Sequence, residues 1–283
     1  MSLNQSLQDL YIRACEIELL AFKPGNVSIY SEAHDMTAQD FRISAAVSAP
    51  YLCDAHLSLG EKIFHAVKAT RAAVACNTNL GIILLCAPLI QAFQKREPQQ
   101  SLRSSLHRVL TTTTHADCDW LYQAIRIASP GGLGQAEHQD VMAVPDVSLT
   151  EAMAIASEKD LIAKQYVTDF REIFDFTVLE YNVAKDLNPD LAHIAVLLYT
   201  EFLKKHPDSH IQRKYGHVYD NIIAEKMSIL GLQLQGSHFK LHLPDLFALD
   251  KWFKTNKINP GTTADMIVAT FVTVFLEQLI TNS

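Results

Sequence analysis

The chain has 283 residues, 48% of them hydrophobic and 19% charged, and a formal charge of −7. That is the composition of a globular protein able to bury a substantial core, and its acidity argues against nucleic acid or an anionic membrane as the main partner. With 10 Gly and 10 Pro, turns are too few for a sandwich or barrel, so an all-α, single globular multi-helix bundle over residues 1–283 is expected.

The first predicted helix runs from about Leu7 to Phe22 and stops at Lys23-Pro24, because proline disfavours helix at the residue before it. A loop continues to Met36. Thr37 with Asp40 three residues on resembles a capping box, so a second helix should start there, with Phe41, Ala45, Val47, Tyr51 and Leu52 facing a core, and end before Gly60. Helices then cover Glu61–Ala75, Asn79–Phe93, Ser101–Thr111 and Asp117–Ala128, with 94–100 as a polar connection. Ser129–Val147 is the longest loop. It opens on Pro130-Gly131-Gly132-Leu133-Gly134 and carries Glu137, His138 and Asp140. Ser148 or Thr150 can cap the next helix. Helix is expected from Leu149 to Lys185, with room for one break, then over Pro189–Lys205, Ser209–Leu232, Leu246–Lys254 and Thr262–Leu279. Asn188-Pro189-Asp190 and His206-Pro207-Asp208 read as stop-then-start signals.

Five cysteines form no CxxC pair and suggest free thiols in a reducing cytosol. Twelve histidines show no zinc-ligand spacing. Met1–Leu10 is too polar for a secretory signal, and Leu80–Ile90, the longest apolar run, is too short to span a bilayer. Met266–Ile280 reads as buried helix. A soluble, cytoplasmic protein without membrane contact is expected.

Three short polar stretches stand at helix ends in this apolar chain: Lys23-Pro24-Gly25-Asn26-Val27-Ser28, Asn77-Thr78-Asn79-Leu80-Gly81 and Asn259-Pro260-Gly261-Thr262-Thr263-Ala264-Asp265. Backbone amides and small hydroxyls at such places can hold a phosphate chain. Lys23 adds a cation, or simply favours a helix C-terminus. Thr78 or Asn79 can cap the apolar helix beside them, as can Thr262 or Thr263 the last one. Asp265 would sit in a first helical turn, where a carboxylate is favourable, or could hold Mg²⁺ on a nucleotide; Glu18 and Asp35 are the other carboxylates for that ion. His34 lies beside Asp35. Arg213 has the fork geometry to grip phosphate, although a solvated helix face is the ordinary reading of the Arg213-Lys214 pair. No strand precedes Gly131-Gly132-Leu133-Gly134, so a Rossmann or P-loop reading fails.

In combination and in order, Lys23-Pro24-Gly25, His34-Asp35-Met36 with Phe41 and Ser44, Asn77-Thr78 with Gly81, the Arg213–Gly216 region, and Pro260-Gly261 with Ala264-Asp265 resemble the triphosphoribosyl-dephospho-CoA synthase family. The resemblance spans nearly the whole chain. It implies an all-helical transferase that moves the 5-triphosphoribosyl group of ATP to the ribose 2′-hydroxyl of 3′-dephospho-CoA, releasing adenine. Two features depart from the citrate-lyase members. Asn77-Thr78-Asn79-Leu80-Gly81 stands where those carry Asn-Thr-His-Lys-Gly, removing a cation and an imidazole, and Ala73-Val74-Ala75-Cys76 replaces glycines. The Gly131–Asp140 loop is similar to that of archaeal and methylotroph homologues. The acceptor is therefore 3′-dephospho-CoA or a related molecule.

The implied chemistry is substitution at the anomeric carbon of the ATP ribose. Lys23, Gly25, Asn26, Ser28, Thr78, Arg213, Gly261 and Thr262 would hold the nucleotide, as would Asn77 and Asn79, which would orient the sugar or the acceptor. Glu18, Asp35 and Asp265 would bind Mg²⁺ or steady the sugar cation, with His34 or Asp35 as base. The partners implied are ATP and a small-molecule acceptor, with room for a homodimer. Two other readings are a Mg²⁺-dependent N-glycoside hydrolase and a helical nucleotide-binding module without catalysis.

Overall fold

The computed structural model describes residues 2–32, 36–129 and 144–281. His34, Asp35 and the 131–140 stretch lie outside the described residues. Within them the chain forms fourteen α-helices and no strand, as composition and periodicity foretold.

Helix α1 (Leu3–Leu20) is capped by Ser2, one turn earlier than the apolar pattern suggested. Its successor, α2 (Ala38–Leu52), opens on the Thr37–Asp40 capping box read from spacing. A second box, Ser58 with Glu61, starts α3 (Leu59–Val74). Then come α4 (Leu80–Gln94), α5 (Leu102–Thr111) and α6 (His115–Ala128). Helix α3 lies so close to α6 that a Cβ on Gly60 would stand 2.5 Å from the Asp117 α-carbon.

The stretch expected as one helix with a single break is three. Helix α7 (Leu149–Ala156), capped by Ser148, is followed by α8 (Leu161–Val167), capped by Asp160. Asp169 and Phe170 then take left-handed backbone, at φ 50° and 55°, before a π-helical turn leads into α9 (Val178–Leu187). After α10 (Leu191–Lys205), the expected Ser209–Leu232 helix is also interrupted. Gly216 at φ +60° separates α11 (Ser209–Tyr215) from α12 (Asp220–Leu234). The chain closes with α13 (Leu243–Thr255) and α14 (Gly261–Thr281).

Helix α14 is the axis of the molecule. It packs on α1, α4, α9 and α10, and one apolar cluster runs from Leu7 to Leu276 around it. By length and hydropathy α14 could cross a membrane, but 72% of its apolar window is buried by the other helices. Residues 266–276 of α14 are all buried, and a stretch buried on every side needs no polar face, which explains why only threonines interrupt its apolar sequence there.

Candidate functional site

The segment after α1 is held from three directions. Lys23 turns inward and is fully buried. Its ammonium donates to the Glu18 carbonyl (2.7 Å) and the Val27 carbonyl (2.9 Å), and pairs with Glu18 Oε1 at 2.9 Å. Burial pushes the Glu18 carboxyl up and the Lys23 ammonium down, and their mutual attraction opposes both shifts. The Tyr199 hydroxyl of α10 donates to the Pro24 carbonyl at 2.8 Å. Gly25 turns at φ +85° and donates its N–H to Asp250 Oδ1 of α13 at 2.8 Å. Ser31 donates to the other Asp250 oxygen at 2.6 Å, and Lys254 pairs with that oxygen at 3.2 Å. Ser28 is buried, bonded through its N–H to the Ser31 carbonyl.

A bond from Asn26 Nδ2 to Asn259 Oδ1 (2.8 Å) joins this segment to the start of α14. There the cap comes from another helix. Asp208, the N-cap of α11, accepts from His210 N–H (2.9 Å) and Ile211 N–H (3.2 Å) on Oδ1. Its Oδ2 accepts from the Thr263 N–H (2.7 Å) and hydroxyl (2.8 Å). One buried carboxylate thus fastens the first turns of α11 and α14 together, and Thr262 and Ser209 share a hydroxyl contact beside it at 3.1 Å. This corrects the expectation that Thr262 or Thr263 caps its own helix: both are helical residues, and Asp208 does the capping.

At the start of α4 the polar residues reach into the bundle. Asn77 Oδ1 accepts from the Leu80 N–H at 3.2 Å, so the capping bond comes from Asn77, while Asn79 occupies the cap position and makes none. The Thr78 hydroxyl meets that of Ser44 at 2.6 Å, and Asn79 donates to the Ser48 hydroxyl at 3.4 Å, which in turn meets the Tyr11 hydroxyl at 3.2 Å. A narrow cleft between α1, α2 and α4 touches Glu18, Phe41 and Asn79.

Gly81, in the first turn of α4, faces Asp265, in the first turn of α14. A Cβ on Gly81 would fall 2.0 Å from Asp265 Oδ2. The half-buried Asp265 carboxylate has no hydrogen-bond or ion-pair partner among the described residues. Its burial, and the nearby Glu18, Asp208 and Asp160, push its pKa well above the usual carboxylate range, with Arg213 the opposing charge. Arg213 donates to Asp160 Oδ2 at 2.7 Å.

The structure therefore brings together residues that are remote in sequence: Glu18, Asn26, Thr78, Gly81, Arg213, Gly261, Thr262 and Asp265. Ser28, Thr78 and Thr263 are all buried rather than on separate outer surfaces. Two assignments are corrected. The donors of Lys23 are taken by protein oxygens, so it anchors the segment and has no N–H to spare for phosphate. Glu18 is committed to Lys23 and is not a free metal ligand. Arg213 and Lys214 are exposed, as a solvated helix face would have them, and Arg213 is oriented there by its pair with Asp160. Asp208, Asp160 and Asp250 went unassigned in the sequence as site-organising groups. Pro207-Asp208 gave a cap signal, but nothing local announced that Asp208 serves a second helix.

This is an all-helical enzyme scaffold, with its polar groups gathered where α1 ends and α4, α11 and α14 begin. The profile of the ATP:dephospho-CoA triphosphoribosyl transferase family (CitG) matches residues 4–283, and the chain belongs to that family. It is accordingly a transferase, moving the 5-triphosphoribosyl group of ATP to an alcohol acceptor of the dephospho-CoA kind with release of adenine. The fold is shared with the crystal structure of an Archaeoglobus fulgidus protein whose own assignment as a triphosphoribosyl-dephospho-CoA synthase is provisional. The two are 24% identical with a TM-score of 0.61, over 83% of this chain and 96% of that one. Among proteins of curated function, none matches.

Proposed function

We propose that the transferred triphosphoribosyl group is bound at the junction of α1, α4, α11 and α14, with Asp265 as its central protein ligand. The observation that carries this reading is the meeting of Asp265 and Gly81: a carboxylate without a partner among the described residues, held against a residue that has no side chain to exclude it. Leaving such a group half-buried costs stability unless a ligand or cation compensates. Mg²⁺ on a triphosphate needs only one or two protein carboxylates, because phosphate oxygens and water complete its shell. Asp265 fits that need. No cluster of three or more His, Cys, Asp or Glu stands ready to hold a metal alone among the described residues.

In this reading Mg²⁺ supplies charge neutralisation on the triphosphate, and Asp265 is the residue that holds it. Arg213, steadied by Asp160, contributes its remaining N–H groups to phosphate. Asn26, Gly261 and Thr262 shape the wall on the α14 side, and Gly25 is held against α13 by Asp250 and Phe253. Asn77, Thr78 and Asn79 place the ribose or the acceptor hydroxyl from the α4 side. Lys23 and Glu18 fix the wall from behind. The acceptor is 3′-dephospho-CoA or a close relative, Leu80 presenting an apolar surface where the citrate-lyase members carry a cation. A cytoplasmic setting and a homodimer belong to the same reading.

The test is incubation with ATP, Mg²⁺ and 3′-dephospho-CoA, with mass spectrometry for adenine and the triphosphoribosylated product. Adenine formed equally without any acceptor would replace this reading with the hydrolase one. Nucleotide binding with no adenine under any condition would replace it with a non-catalytic module.

A further inference from the structure

His210 is the second residue of α11, and its place is fixed by Asp208. The same carboxylate takes the His210 N–H and the Thr263 N–H, so the first turn of α11 cannot slide against the first turn of α14. The imidazole lies against Gly261, with Nδ1 3.5 Å from the position a Cβ there would take. Gly261 and Asp265 are four residues apart on α14 and so share one face of that helix. His210 and Arg213 are three apart on α11 and share a face in the same way. His210 meets α14 at Gly261, one helical turn before Asp265, and Arg213 is the cation whose charge opposes the raised pKa of Asp265.

Neither ring nitrogen of His210 has a hydrogen-bond partner among the described residues, although the ring is half-buried. A histidine kept only for packing would ordinarily have a bond to fix its tautomer. The charged groups facing it are Asp208 at the cap of α11, Arg213 and Lys214 on α11, and Asp160 at the cap of α8. Burial and the two cations outweigh the carboxylates and lower its pKa, so the ring is neutral at neutral pH with a lone pair to offer.

We propose that His210 is a catalytic residue of the transfer, the base that takes the proton of the acceptor hydroxyl. The inference rests on the proposed nucleotide site at Asp265 and assigns a group that reading leaves open, since His34 and Asp35 lie outside the described residues. The hydroxyl oxygen forms a bond to C1′ of the ATP ribose with its own electron pair. The C1′–N9 bond breaks and its pair leaves with adenine. The hydroxyl proton passes to the imidazole and on to solvent, and adenine takes up one proton from solvent, so charge and atoms balance.

The experiment compares wild type, His210→Ala and His210→Gln with ATP, Mg²⁺ and 3′-dephospho-CoA. It measures turnover, calorimetric affinity for ATP–Mg²⁺ and the melting temperature. General-base loss is typically worth about 10²–10⁴ in rate. The expected result is a fall of about 10²-fold or more in kcat for both variants. ATP affinity should stay within about threefold, and added imidazole should restore part of the His210→Ala rate. Turnover of His210→Gln within about fivefold of wild type would overturn the proposal, because glutamine keeps the bulk and polarity but cannot accept the proton. A variant whose melting temperature shows that it is unfolded is set aside in favour of the other. Wild type that binds ATP but never releases adenine would bring down the underlying functional reading, and this inference with it.

Discussion

Asp265 and Gly81 meet where α14 and α4 begin, and the contact leaves no room for a side-chain carbon: one built on Gly81 would lie 2.0 Å from Asp265 Oδ2 and 2.8 Å from Ile162 Cδ1. Both atoms are the tips of flexible side chains and can turn aside. Gly81→Ala should therefore fold, and should gain slightly in helix propensity, by up to about 1 kcal/mol. The displaced carboxylate should cost about 10²-fold in turnover, the scale of a misplaced catalytic group. Activity assays beside thermal melts check this. Wild-type turnover in Gly81→Ala would show that the position of Asp265 does not matter.

Asp265 should also show a conflict between stability and function. Its folded pKa lies well above the ordinary carboxylate value, so the folded state binds the proton more tightly than the unfolded chain does. The stabilising effect is complete below about pH 4 and is lost as pH rises toward the folded value. At neutral pH, without added metal, Asp265→Asn should melt higher than wild type, and the gap should close on acidification toward pH 4. With ATP and Mg²⁺ the same variant should lose about 10²–10³ in turnover, typical of removing one preorganised electrostatic group. A variant less stable than wild type in metal-free buffer at pH 7 would contradict the account.

How much of this was legible in the sequence depended on whether the deciding contact was local. The Thr37–Asp40 box needs only three residues, and spacing revealed it. Asn77, Thr78, Gly81 and Asp265 could be picked out because polar residues and glycine are costly beside helices as apolar as α4 and α14. The inward turn of Lys23 was not legible, because its partners are carbonyls placed by a turn and by the end of α1; in sequence it looks like any cation after a helix. The cap of α14 lies 55 residues away in Asp208, beyond any capping rule. The breaks at Asp169–Phe170 and Gly216 depend on left-handed backbone at single residues, which a helical apolar pattern runs through unchanged.

The Lys23–Glu18 pair gives a stability test that separates anchoring from phosphate binding. Both side chains are almost wholly buried. Lys23→Met leaves the Glu18 carboxylate in the interior without its counter-charge, and breaking a buried pair in this way costs about 3–5 kcal/mol. Adding Glu18→Gln to Lys23→Met should recover much of that loss, because the stranded charge is gone. Urea denaturation of the two single variants and the double variant measures the coupling. A double variant as unstable as the two singles combined would mean that the residues act independently.

Lys62, far from the site, makes the last prediction. Its ammonium is buried between the ends of α2 and α4, donating to the Leu52 carbonyl at 3.0 Å and to Gln94 Oε1 at 2.6 Å, and no carboxylate among the described residues pairs with it. Burial pushes its pKa down to about 8 from 10.5. Below pH 8 both folded and unfolded chains carry the charge, and the folded state bears the cost of keeping it out of water. Between about pH 8 and 10.5 the unfolded chain holds the proton and the folded protein does not, so the Lys62 contribution to stability rises with pH through that window. Cys53 and Cys118, pushed up to about 12 and about 11 by burial, act in the opposite direction as unfolded thiols ionise first. Cys53 faces Lys62 and rises further without it, but both thiols stay protonated in the folded protein up to pH 10, so the difference between wild type and Lys62→Met up to that pH reports the lysine. Unfolding free energies at pH 7 and pH 10 should show wild type gaining on Lys62→Met, and a difference that stays flat across the window would mean that Lys62 keeps an ordinary lysine pKa in the folded protein.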